Sequence, residues 1–367
     1  MLYGPGMTRC GRRSGIRRPE LRTSSWAGAR LLAGVLGVAI ALAACGQVSP
    51  SGSPGASTPA ATRLETPASA SPAVPSAIVP AASAGTIGIR FARSDTRLPS
   101  ARTRAVALVI GSAVLLCGGL ASSGGTTGSI LEIDLKTGRV SSVGVLAAAV
   151  HDAGGSALDG SGFILGGGGS APGSVVQRVG PSGTAITIGH LPVVRADLAA
   201  VSVDGELVVV GGGTPARPDD RVLASSDGSH FRTVARLLVG VRYPAVAVVG
   251  GWVYVIGGST LSGDTSVIQA IDPGTGVVRI VGHLGRGLSH ASALIVGGTF
   301  LIAGGRTAGR AQKAVWELNI ASGTIAQVGQ LPYPVSDMAS AVVGGIGYLI
   351  GGEDVGPLAS IITITAN

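Results

Sequence analysis

Three regularities predict that most of this chain is all-β, a ring of six four-stranded blades (a six-bladed β-propeller) whose last blade is closed by an N-terminal strand. A glycine pair ends a short apolar strand six times, starting at Gly118, Gly166, Gly211, Gly257, Gly304 and Gly351. A leucine stands twenty residues before each: Leu98, Leu146, Leu191, Leu237, Leu284 and Leu331. Between them, at a fixed offset, lies a turn dipeptide: Gly111–Ser112, Asp159–Gly160, Asp204–Gly205, Gly250–Gly251, Gly297–Gly298 and Gly344–Gly345. Asp-Gly and Gly-Gly suit two-residue hairpins, which need positive φ. Each block thus reads strand, tight turn, strand, glycine stop.

Two further strands follow each stop, as in "LEIDLKTGRVSSVGVL" and "IQAIDPGTGVVRIVGHL", with a second turn at Gly138, Gly183, Gly276 and Gly323. Four short strands in a period of 45 to 48 residues make a propeller blade. The first strand of each block is built of small residues, as expected near a crowded axis. Its neighbours are continuous apolar runs, as expected for strands covered on both faces. After Gly351 only 16 residues remain, too few for two strands and their connection. Residues 87–98, "IGIRFARSDTRL", supply 12 more and bring the sum to 28, within the 25 to 28 found elsewhere between stop and leucine. The N-terminal strand is therefore expected to complete the sixth blade, over residues 87–367.

The chain carries 27 basic and 19 acidic residues, a net charge of +8. Residues 1–44 account for +6 of this, with seven arginines against Glu20, leaving 20 basic and 18 acidic residues, or +2, for the rest. A nearly neutral body lacks the charge that nucleic-acid binding draws on, so no nucleic-acid partner is expected. After the arginines comes "LLAGVLGVAIALAA", Leu31 to Ala44, then Cys45. Fourteen residues make about 21 Å of helix, short of a hydrocarbon core of about 30 Å. A charged leader and a short apolar segment ending on small residues describe a signal peptide over 1–44; the alternative is an uncleaved anchor helix. "LAAC" followed by Gly46 resembles a bacterial lipobox, which implies cleavage before Cys45 and diacylglyceryl attachment to it. The expected location is therefore extracytoplasmic, anchored to the bacterial membrane through that lipid. Residues 45–86 are rich in Pro, Ser and Ala and read as an extended, disordered tether. Cys10 lies in the leader and Cys117 in an apolar strand, so no internal disulfide is expected.

The glycine-pair strands and the Asp-x-x-Thr/Ser-Gly turn resemble kelch repeats, best in "AVAVVGGWVYVIGG…IDPGTG" and "ASAVVGGIGYLIGGE". The resemblance spans residues 87–367 and departs in one column: the aromatic usual after the turn is replaced at Val140, Ala185, Val278 and Ile325 and kept at Phe231. "SSDGSHF", Ser225–Phe231, also resembles a single Asp-box turn; its simpler reading is an Asx-type turn.

Six residues after each marker leucine stand Arg104, Asp152, Asp197, Tyr243, His290 and Asp337, flanked one residue earlier by Thr103, His151, Arg242, Ser289 and Ser336. Six-fold repetition should bring these side chains together at the mouth of the axial channel. There they either begin strands and satisfy one another in ion pairs, or line a pocket for a small polar ligand. Three aspartates with His290 suit a divalent cation by ligand type, but no spacing demands one, and no cofactor or metal is expected. His190 and His283 are expected on the surface, and Arg306, Glu353 and Asp354, after glycine stops, on a loop face or at solvated tips. The chain lacks a Gly-x-Ser-x-Gly elbow, a phosphate loop and a CxxC pair, and no catalytic residue is assigned. The expected function is a monomeric binding module for an envelope protein or glycan. The alternative is a carbohydrate-active enzyme, as the sialic acid mutarotases among six-bladed kelch proteins imply, with Asp152, Asp197 or Asp337 as acid/base and Arg104 or Arg242 orienting an anionic group.

Overall fold

The structure, a computed structural model, describes residues 88–367. The signal-peptide and tether readings, with Cys10 and Cys45, lie outside the described residues. Among those described, all regular structure is strand.

Six antiparallel sheets form the blades, five of four strands and one, the third, with a short fifth strand added to the same four-strand path. Their innermost strands are Val106–Ile110, Gly154–Leu158, Ala196–Val203, Ala245–Val249, Ser292–Val296 and Ala339–Val343. Each packs beside the next, and the last returns to the first, so the blades close a ring. The tight turns are two residues long, pairing Ile110 with Ala113 in blade 1 and Val249 with Trp252 in blade 4. In blades 2 to 6 both turn residues have positive φ, as in Asp159 (48°) and Gly160 (72°), whereas blade 1 has it at Gly111 alone. These are the signatures of type I′ and type II′ turns.

The second strands are deeply buried, for instance Ala113–Cys117 and Thr299–Ala303, and six apolar clusters fill the blades and the spaces between them. Cys117 is buried at 1% exposure and burial pushes its thiol up to about 12, which leaves it a small core hydrophobe. The small residues of the inner strands fit the wedge. A Cβ at Gly155 would stand 2.3 Å from Val106 Cγ1 of the preceding blade.

The sixth blade closes as the chain ends predicted. Ile89–Arg97 pairs antiparallel with Ser360–Ala366, with Ile89 opposite Ala366 and Phe91 opposite Ile364, and becomes the outermost strand.

The glycine stops do more than end strands. The amide of the second glycine donates to a carbonyl in the segment leading to the next blade: Gly119 to Val150 (2.8 Å), Gly258 to Leu288 (2.8 Å) and, across the seam, Gly352 to Arg102 (2.8 Å). All six blades repeat this bond. Each accepting carbonyl lies two residues before one of the six channel-mouth positions, so the glycine stop of one blade positions the mouth residue of the next.

Candidate functional site

Arg104, Asp152, Asp197, Tyr243, His290 and Asp337 converge at the channel mouth as their common offset predicted. All six are in the left-handed region, with φ from 52° to 63°. That conformation is uncommon for residues with a Cβ and costs about 1–2 kcal/mol each. The compensation is a closed circle of peptide hydrogen bonds. Asp152 N–H donates to Arg104 C=O (3.1 Å), Asp197 to Asp152 (2.8 Å), Tyr243 to Asp197 (2.8 Å), His290 to Tyr243 (3.1 Å), Asp337 to His290 (3.1 Å) and Arg104 to Asp337 (2.9 Å). Because the strain recurs in every blade it belongs to the architecture of the ring, not to one reacting group.

The segments leading to the mouth are anchored from inside. Buried Arg102 donates from Nη1 to Gly118 C=O (2.7 Å), and Arg195, at the matching position of blade 3, donates to Gly211 C=O (3.3 Å) and Arg221 C=O (3.0 Å). Buried Gln177 both donates to and accepts from the backbone of Ala148 (2.9 Å each), and Gln269 treats Val239 in the same way (3.0 Å each). Satisfied buried amides of this kind hold the segments rigid.

The mouth side chains pair by charge. Asp197 accepts from Arg242, whose guanidinium also lies 5.1 Å from the Tyr243 ring centroid. Arg104 reaches Asp152 (3.1 Å), Glu353 (3.5 Å) and Asp337 (3.6 Å). Arg306 contacts Asp337 (3.1 Å), Ser336 Oγ (3.0 Å) and Glu353. The Tyr243 and His290 rings stack at 3.7 Å, and His290 Nε2 lies 3.7 Å from Asp337.

Arg306 and Glu353 thus belong to the mouth, where sequence reasoning left them between a loop face and solvated tips. They arrive through antiparallel bridges, Ser289 with Arg306 and Ser336 with Glu353, that lay the residue directly after each glycine pair beside the residue flanking the mouth. That fixed offset was the signal that would have found them. Asp354 is exposed, as are His190 and His283 on the outermost strands. The Ser225–Phe231 turn is on the opposite face. Asp227 there accepts from the amides of Ser229 (2.7 Å) and His230 (2.9 Å), an Asx-type turn.

Three guanidiniums, Arg104, Arg242 and Arg306, face four carboxylates, Asp152, Asp197, Asp337 and Glu353. The sum is one negative charge with Asp152 ionised and zero with it protonated. Burial, reinforced by Asp197 and Asp337 and opposed by Arg104, pushes Asp152 up to about 7. Burial pushes His151 and His290 down, aided by Arg104 and, for His290, Arg306, so both are neutral at neutral pH. Burial and the charges of Asp152 and Asp197 raise Tyr243, keeping its phenol protonated. Burial opposes the charge on Arg104, but Asp152, Asp337 and Glu353 outweigh it and hold the guanidinium ionised. Among the described residues no three His, Cys, Asp or Glu side chains form a metal-binding group. The open space within the ring is about 120 Å³, continuing into an axial channel of about 180 Å³ walled by the small residues of the inner strands.

Asp152 gives the mouth a pH signature. In the unfolded chain its carboxyl ionises near 3.8, and in the folded ring near 7. A raised folded pKa contributes stability that is complete below about 4 and lost as pH rises through about 7. The depressed histidines act oppositely, adding stability up to about 6.5. Between pH 6.5 and 8 the melting temperature of the native protein is therefore expected to fall relative to that of Asp152→Asn, the histidine contribution being common to both. Equal slopes in the two proteins, measured by differential scanning fluorimetry, contradict this account.

No protein-family model matches the chain, and no curated protein matches it. Among solved structures it is similar to one described as "Structure of YjhT", with a TM-score of 0.64 at 14% identity, over 73% of this chain and 96% of that one. At that identity the likeness shows the β-propeller fold.

Proposed function

We propose that this protein is a kelch-like propeller, exported and held at the envelope by a lipid on Cys45, that works as a binding module for an envelope protein or glycan. The sequence of the leader and tether supports the address. One observation carries the functional reading: each carboxylate at the channel mouth is engaged by a guanidinium, in a closed ring whose space of about 120 Å³, even with the axial channel of about 180 Å³ beneath it, only touches the lower end of the roughly 300–1,000 Å³ of small-molecule sites. Paired groups in so small a space favour holding the ring together over turning over a sugar.

A second reading has its own observation. Asp152, at about 7, is poised near the pH at which a general acid or base works best, and it faces that space. It supports a carbohydrate-active enzyme of the mutarotase or epimerase kind, with Arg104 or Arg242 orienting an anionic group. One-dimensional exchange NMR on a panel of neutral, N-acetylated and acidic monosaccharides separates the two. The binding-module reading expects no acceleration of anomer exchange and no melting shift with any sugar. Acceleration that disappears in Asp152→Asn overturns it in favour of the enzyme. The address is tested by metabolic labelling with palmitate: label is expected in the native chain and absent in Cys45→Ala, and label that persists refutes lipidation at that residue.

A further inference from the structure

A hollow larger than the channel mouth lies away from it. A groove of about 800 Å³ lies on the same face, between blades 3 and 4, where the segments leading into these blades meet the loops that follow their glycine stops. Its size falls within the range of ligand-binding sites. The loop from Gly213 folds back as a small hairpin, with Arg217–Pro218 paired to Gly213 and Thr214, and forms one wall.

The charges along the groove are unbalanced. Asp219 is held by Arg221 (2.6 Å) and by the buried Arg195 beneath it (3.2 Å), and Asp220 by Arg236 (2.8 Å). With Arg217 that makes four guanidiniums to two carboxylates. Arg217 is exposed and has no acidic partner among the described residues. The borders are aliphatic: among the lining residues Val194 is 48% exposed and Leu261 73%. Single exposed aliphatic residues are ordinary, but two lining one hollow mark a surface that gains from being covered. No aromatic ring lines the groove on which a sugar face would stack.

We infer that this groove binds a short extended peptide segment of a partner protein, an acidic side chain seating on Arg217 and an aliphatic side chain covering Val194 and Leu261. The surplus positive charge calls for an anion, the aliphatic borders for an apolar neighbour to it, and the lack of a stacking ring favours a peptide over a glycan. The inference rests on the binding-module reading and gives that reading a place and an occupant.

The test is a phage-displayed random nonapeptide library selected on the full chain, followed by fluorescence anisotropy with a labelled synthetic peptide from the enriched family. Sequences carrying Asp or Glu within three residues of Leu, Ile or Val are expected. Arg217→Glu and Leu261→Asp, both at exposed positions and checked for an unchanged melting temperature, are each expected to weaken binding about tenfold. Replacing the acidic residue of the peptide by Lys is expected to restore binding to Arg217→Glu. Failure to enrich a family, or peptides whose affinity neither substitution changes, overturns the inference. Binding of polygalacturonate that depends on Arg217, without peptide binding, overturns it in favour of an acidic glycan. Peptide binding lost in Tyr243→Ala but kept in Arg217→Glu moves the site to the channel mouth. These three results leave the binding-module reading standing; sugar turnover that requires Asp152 removes that reading by a separate measurement.

Discussion

Gly257→Val is expected to remove at least about 3 kcal/mol of stability, enough to unfold much of a domain whose total lies at roughly 5–15 kcal/mol. Gly257 has φ +60°, and a Cβ there would stand 2.1 Å from Leu288 O. The backbone conformation alone costs a β-branched residue about 1–2 kcal/mol. The carbonyl must also move, and it is the acceptor of the Gly258 amide that ties blade 4 to the segment entering blade 5. Losing that bond leaves a buried donor unsatisfied, about 1–3 kcal/mol more. Gly285→Ala is the control: a Cβ there meets nothing within 4 Å. It is expected to change stability by less than about 0.5 kcal/mol. Urea denaturation reads both, and a Gly257→Val midpoint equal to the native one shows that the glycine stop does not join blades.

This contact also explains what could and could not be read from the sequence. The period was legible because it is written in local backbone chemistry. Gly250–Gly251 must turn a two-residue hairpin and Gly257–Gly258 must end the next strand, and few residues other than glycine tolerate those φ values. The mouth positions were legible for a related reason, since rotational repetition turns a constant offset from Leu98 or Leu146 into a shared place near the axis. Partners were not. Arg306 engages Glu353, 47 residues away, and Arg104 engages Glu353 across the seam, 249 residues away. Which guanidinium finds which carboxylate depends on how adjacent blades pack. The left-handed backbone of Tyr243 was equally invisible, because a tyrosine does not favour it and the closed circle of peptide bonds imposes it. The groove between blades 3 and 4 escaped notice because the hairpin after the glycine stop recurs in blades 3, 4 and 5 but carries different side chains in each, and the hollow depends on how those side chains and the segments beside them pack.

Deleting residues 88–97 is expected to destabilise the ring by an amount on the order of 5 kcal/mol and to make the protein aggregate. The strand Ile89–Arg97 contributes six paired positions to Ser360–Ala366. At roughly 0.5–1.5 kcal/mol net for each hydrogen bond the ladder alone supplies several kcal/mol. Phe91 adds side-chain burial at the border with blade 5, where a Cβ on Gly329 would stand 2.4 Å from the ring. The Arg93 guanidinium lies 4.7 Å from the Tyr333 ring centroid. The strand also carries the chain directly from blade 6 into blade 1 through Leu98, Arg102 and Arg104. Without it the seam is left to non-covalent contacts such as Gly352 N–H to Arg102 C=O (2.8 Å) and Arg104 N–H to Asp337 C=O (2.9 Å). The exposed edge at Ser360–Ala366 becomes a row of unpaired amides and carbonyls that invites pairing with another molecule. A synthetic peptide GIRFARSDTRL, added in trans, should reoccupy that edge by strand addition and raise the melting temperature of the shortened protein, and the same peptide with Asp at the position of Phe91 should not. A shortened protein as stable and as monomeric as the native one means that inner-strand packing alone closes the ring. Because the peptide restores the ladder and the Phe91 contact without restoring the covalent link, the extent of its rescue separates what pairing contributes to closure from what chain connection across the seam contributes.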